Sequence, residues 1–169
     1  MLGDRLRTSA ILVAIVLCLL AMDFYVPLQG AAGIWLLPLL FFFAIGTAWE
    51  MATMMVSGGQ PIRRRVAVIG ATLISGSAAI PFLWAWAEEG YPADCPVGRL
   101  GWIVLFASLS VFLVLIVEMR DYGKTSHDAP GDAIRRTCNG VFVSVYVGLP
   151  MAMLIALRSM QSDAGSGRF

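Results

Sequence analysis

Residues Gly33 to Val56 read GIWLLPLLFFFAIGTAWEMATMMV, and this stretch decides the fold. From Ile34 to Val56 it holds 23 residues with one ionisable side chain, Glu50. As a helix that length is roughly 34 Å, against a hydrocarbon core of about 30 Å. The run therefore reads as a transmembrane helix. Measured inward from Val56, Glu50 lies roughly 9 Å deep, under the interface rather than at the midplane.

The rest of the chain repeats the pattern of apolar run, short charged connection, apolar run. Of its 169 residues, 59% are hydrophobic and 14% charged. Mean hydropathy is +0.79. A water-soluble chain carries about 25% charged residues, so the deficit points to an all-α, polytopic membrane protein. The spans fall at about 8–26, 34–56, 66–86, 100–117 and 138–157, five helices in a transmembrane domain of residues 1–158, followed by a polar tail, 159–169. The opening MLGDRLR and its apolar run are read as an uncleaved first helix, because AMDFYVP lacks a small-x-small cleavage pattern.

Orientation follows from the basic residues. With the N-terminus cytoplasmic, Arg5, Arg7, Arg63, Arg64, Arg65, Arg120, Lys124, Arg135 and Arg136 lie inside, and only Arg99, Arg158 and Arg168 lie outside. The same arrangement collects Tyr25, Trp35, Trp84, Trp86, Tyr91 and Trp102 at the outer helix ends, where an aromatic belt belongs. The expected location is the inner (plasma) membrane, multi-pass.

Few residues suggest chemistry. Glu50 either faces a polar cavity on the cytoplasmic side or reaches the interface, satisfied there by Arg63, Arg64 or Arg65. Those three arginines follow the turn SGGQPI; they fix topology and could also bind anionic lipid head groups. In the third span, Ala71, Ser75 and Ala79 recur every four residues beside Gly70, Gly76 and Ser77. Such spacing suits close helix packing or a cavity wall for a lipid chain. Pro81 and Pro150 are expected to kink the third and fifth helices. In the longest connection, His127, Asp128 and Asp132 lie close together, with Asp128 or Asp132 read as capping a short helix before the fifth span. Cys18, Cys95 and Cys138 stand far apart, so neither a metal site nor a disulfide framework can be read from them. No phosphate loop, nucleophile elbow, HExxH or dinucleotide fingerprint occurs.

Three stretches carry a resemblance. They are Arg5-Leu6-Arg7-Thr8-Ser9 before an aliphatic run, Ala48-Trp49-Glu50 within TAWEM, and Gly140-Val141-Phe142-Val143-Ser144-Val145-Tyr146-Val147-Gly148-Leu149 leading to Leu157-Arg158. In order and spacing the chain resembles the N-terminal half of a phosphatidate cytidylyltransferase (CDP-diacylglycerol synthase). The resemblance implies a nucleotidyltransferase of phospholipid synthesis that converts CTP and phosphatidate to CDP-diacylglycerol and pyrophosphate. It also implies Mg²⁺, with ligands in a C-terminal signature that this chain does not contain, so no catalytic or metal residue is assigned here. The chain alone is expected to be a truncated, inactive fragment, with Arg63, Arg64 and Arg65 near the lipid head group. Expected partners are the bilayer and, by resemblance, phosphatidate and CTP, with a homodimer allowed and no nucleic acid. Two other readings stand beside it: a small accessory or structural membrane protein, and a transporter subunit with Glu50 as coupling acid.

Overall fold

The structure is a computed structural model that describes residues 2–25, 35, 37–86, 95–122 and 131–165. Those residues form six helices and no strand: α1 (Leu2–Tyr25), α2 (Leu37–Ser57), α3 (Arg64–Ser77), α4 (Ile80–Trp86), α5 (Gly98–Asp121) and α6 (Asp132–Gly165). Three stretches, Leu37–Ser57, Leu100–Asp121 and Asp132–Leu157, are long and apolar enough to cross a membrane. A shorter apolar stretch, Val13–Asp23, lies within α1.

α3 is the central helix, touching α2, α5 and α6. Its residues explain why. Ala67, Gly70, Ala71, Ile74, Ser75 and Ser77 are all buried, and small side chains let neighbouring backbones come close where lipid provides no hydrophobic drive. The facing stripe on α6 is Ser144, Gly148 and Ala152, one residue every four and all buried; Gly140, one turn earlier, is also buried but meets Val114 of α5. A Cβ on Gly148 would stand 2.8 Å from the Ile74 Cβ and 3.0 Å from the Ala71 carbonyl oxygen. The Ser144 hydroxyl donates to its own helix at Gly140 O (2.8 Å) and is 3.1 Å from Ala67 O across the contact. α2 adds a third such stripe, Ala44, Ala48 and Ala52, turned toward the core.

Two clusters fill the interior. One joins Ile74, Ala78, Phe82, Ile103, Ala152, Ile155 and Ala156; the other joins Ala48, Ala67, Ala71, Val143 and Val147. α1 contributes to neither, and its Ile11, Val13, Ile15, Leu17 and Leu20 are exposed.

The third apolar run differs from a single helix over 66–86. It is broken at Ala78–Ala79 into α3 and α4. Pro81 supplies the cause: it has no N–H to continue the ladder, and it sits in the first turn of α4, where none is needed. Pro150, by contrast, lies within α6, which runs on through it. The fifth run begins earlier than 138, because α6 starts at Asp132 and carries the segment from there as one helix; the residues just before Gly131, Asp128 among them, lie outside the described residues. α6 also continues to Gly165, so residues 159–165 of the polar tail are helical.

α2 closes on a glycine cap. Gly59 takes φ 73°, Gln60 N–H donates to Met55 O (2.9 Å), and Gly59 N–H donates to Val56 O (3.0 Å). Left-handed glycine with this pair of bonds ends a helix sharply, and it turns the chain straight into α3.

Candidate functional site

The chemistry-bearing residues gather where three helix ends meet: the start of α3, the end of α5 and the start of α6. Glu118 is their centre. It is only 6% exposed, although it lies one turn from the end of α5. Its Oε2 accepts a bond from Arg63 Nε at 2.9 Å, and its Oε1 accepts one from Arg136 Nε at 2.5 Å. Arg63 also donates through a second guanidinium nitrogen to Asp121 Oδ2 at 2.7 Å. Helical spacing makes this possible, since Glu118 and Asp121 are three residues apart on one face of α5. Nearby, Asn139 Nδ2 donates to Pro61 O at 2.9 Å, tying α6 to the connection between α2 and α3.

Two arginines and two carboxylates in this clamp sum to no net charge. Among the described residues, the other cations at the same end include Arg64, Arg65, Arg120 and Arg135, none of which forms an ion pair with a described residue. Arg64 and Arg65 stand at the N-terminus of α3, and Arg135 in the first turns of α6. The N-termini of α3 and α6 add partial positive charge at this end and the C-terminus of α5 adds partial negative charge.

Beside the clamp is an apolar groove of about 470 Å³ between the end of α5 and the start of α6; Leu115, Met119, Ile134 and Cys138 line it, with Glu118 at one wall.

Of the triplet singled out in the sequence, Arg63 is committed to the clamp, while Arg64 and Arg65 stay available. Glu50 is neither in an interior polar cavity nor satisfied by the arginines. It is exposed on the outward face of α2, in a groove of about 450 Å³ with Phe42, Phe43, Gly46, Thr47, Trp49 and Thr53. Ala71 and Ser75 are core residues of α3; Ala79 falls in the break after it. Asp132 opens α6, and Gly131 before it takes φ 99° with its carbonyl accepting from Arg135 N–H. His127, Asp128 and Lys124 lie outside the described residues, as do Glu88, Glu89, Tyr91 and Asp94. Trp84 and Trp102, assigned to the same helix end, do meet there, with ring centroids 6.4 Å apart.

Sequence reasoning missed Glu118 and Arg136, which read as ordinary loop charges. Their one signal is position, since Glu118 directly follows one apolar run and Arg136 lies two residues before the next.

The acids do not fit a Mg²⁺ site. Both Glu118 oxygens accept from guanidinium groups, and no group of three or more His, Cys, Asp or Glu among the described residues is placed to hold a metal. In comparisons with known proteins, no family model matches the chain, and no curated protein and no solved structure matches it.

Proposed function

We propose that the chain is a five-crossing inner-membrane protein with a cytoplasmic N-terminus, and that it is the lipid-facing scaffold of a phosphatidate cytidylyltransferase. The observation that carries this reading is the basic end of the bundle. Arg64, Arg65, Arg120 and Arg135 have no acidic partner among the described residues. Juxtamembrane cations of this kind attract anionic head groups, each contributing about 1 kcal/mol. In this reading phosphatidate is held there by its phosphate, while the CTP-binding and metal-binding groups come from residues beyond this chain.

The test uses the purified chain in nanodiscs of phosphatidylcholine with or without phosphatidate. Tighter association with phosphatidate is expected, and the pair Arg64→Ala and Arg65→Ala should weaken it by on the order of tenfold to thirtyfold. Equal association in both lipids, or no effect of the pair, overturns the head-group contact. Incorporation of CTP into lipid by the chain alone should not exceed a no-protein control.

A second reading, a non-catalytic accessory protein, is favoured by one observation: Glu118 and Asp121 are used to hold helices together. The coding DNA past codon 169 separates the two. A continuing frame rich in Lys, Asp and His supports the enzyme, and a stop without one supports the accessory protein.

A further inference from the structure

α2 presents its one charged side chain away from the protein. Ala44, Ala48 and Ala52 point into the core. Glu50 follows Ala48 by two residues, about 200° around the helix, and so faces outward. It makes no hydrogen bond or ion pair with any described residue. Seven residues, about 10 Å, separate it from Ser57 at the helix end. Carboxylates at such depth face protein, water or a partner group, because lipid solvates none of their charge. The interior of this bundle lies on the other side of α2. No described residue supplies the surface that Glu50 needs, and a second copy of the chain is a source of one.

The same groove holds what a second α2 would supply. Gly46 stands one turn before Glu50, and nothing lies within 4 Å of where its Cβ would be, so another backbone can come close. Thr47 is exposed in this groove, and its hydroxyl has no bond to a described residue. The Thr53 hydroxyl differs, since it donates to Trp49 O at 2.8 Å.

We propose that the Gly46–Glu50 face of α2 is a docking surface for a second copy of this chain, with the two α2 helices parallel and each Glu50 accepting a hydrogen bond from the Thr47 hydroxyl of the other copy. Helical side chains lean toward the N-terminus, which aims Glu50 at the level of Thr47 and Gly46 across a parallel pair. A two-fold axis along the membrane normal repeats the bond, so the face is complementary to itself. Trp49 and Phe42, both exposed, flank the contact.

This inference rests on α2 lying in lipid, a point that alkaline carbonate extraction tests by itself. Extraction as a soluble protein overturns the membrane reading and this one together. Dimerisation is tested in a chain whose Cys18, Cys95 and Cys138 are changed to Ala. Oxidation in the membrane should link Gly46→Cys chains into dimers and leave Phe112→Cys, on the outward face of α5, unlinked. Energy transfer between labelled chains in phosphatidylcholine bilayers should show association weakened about tenfold by Glu50→Leu, by Thr47→Val and by Gly46→Leu. Glu50→Gln, which keeps an acceptor, should stay closer to the parent. Because Gly46 has open space around it, its replacement leaves the single chain folded, and an unchanged circular dichroism spectrum verifies this. Two results overturn the proposal: association unchanged by Glu50→Leu and Gly46→Leu, or Gly46→Cys linking to Ile11→Cys within one chain in place of a second copy.

Discussion

Glu118 accepts from two arginines at once. Its carboxylate is nearly buried between two guanidiniums that come from different helices. Taking one partner out of such a pair leaves the others desolvated and uncompensated, which costs more than the pair itself contributes. Glu118→Gln should therefore destabilise the protein by about 3 kcal/mol, the lower end of the usual range, because Arg63 is 34% exposed and water can reach it. Unfolding titrations in mixed micelles measure this. The double change Glu118→Met and Arg136→Met should lose less than Glu118→Gln alone, since it removes the charges of both partners together. A Glu118→Gln protein as stable as the parent would show that the clamp holds nothing together. At this scale the sequence exposes some residues and hides others. Glu50 stands out as a lone acid in an apolar run, yet its direction depends on which face of α2 the alanines bury. The clamp is hidden because Arg63 and Glu118 lie 55 positions apart, and nothing local to either one marks the other.

Among the elements, the contact between α3 and α6 fixes how closely the bundle packs. Gly148 meets backbone as well as side chain: the Ala71 carbonyl oxygen at 3.0 Å and Cα at 3.1 Å from a would-be Cβ. Backbone cannot rotate away as a side-chain tip can, so a methyl group there must push the two helices apart. Gly148→Ala should cost about 2 kcal/mol, read as a lowered midpoint in thermal unfolding. Gly46→Ala makes the comparison, since its methyl would meet nothing within 4 Å. That change should be neutral or add up to about 1 kcal/mol through helix propensity. Equal effects at the two sites would remove close packing as the reason for the small-residue stripe. Element boundaries were partly legible in advance. Apolar length marks the runs that became α2, α5 and α6, because lipid thickness sets that length. The split into α3 and α4 was less visible, since hydropathy continues unbroken across Ala78 and Ala79 while Pro81 alters only hydrogen bonding. The Ser144–Gly148–Ala152 stripe was within reach of the same four-residue spacing that singled out α3.

For the whole molecule, the three charged helix ends lie together while Trp84 and Trp102 meet at a different place. A bundle with an excess of cations at one end and indoles at the other has a preferred orientation in a membrane, because positive charge resists translocation and indole rings settle at the interface. In the proposed five-crossing arrangement with the basic end cytoplasmic, residue 65 and residue 96 are expected on opposite sides, separated by α3 and α4. α3 alone has 14 residues, about 21 Å of helix, and so falls short of the hydrocarbon thickness. Crossing thus requires α4 to continue the path beyond the break at Ala78–Ala79. Cysteine labelling puts both points to the test. In a chain otherwise free of cysteine, a membrane-impermeant maleimide should reach Pro96→Cys in right-side-out cells and Arg65→Cys only in inverted vesicles. The reverse pattern would invert the orientation and move the head-group contact to the outer leaflet. Labelling of both positions from one side would instead mean that α3 and α4 fold back without crossing, leaving the break as the turning point of a re-entrant segment.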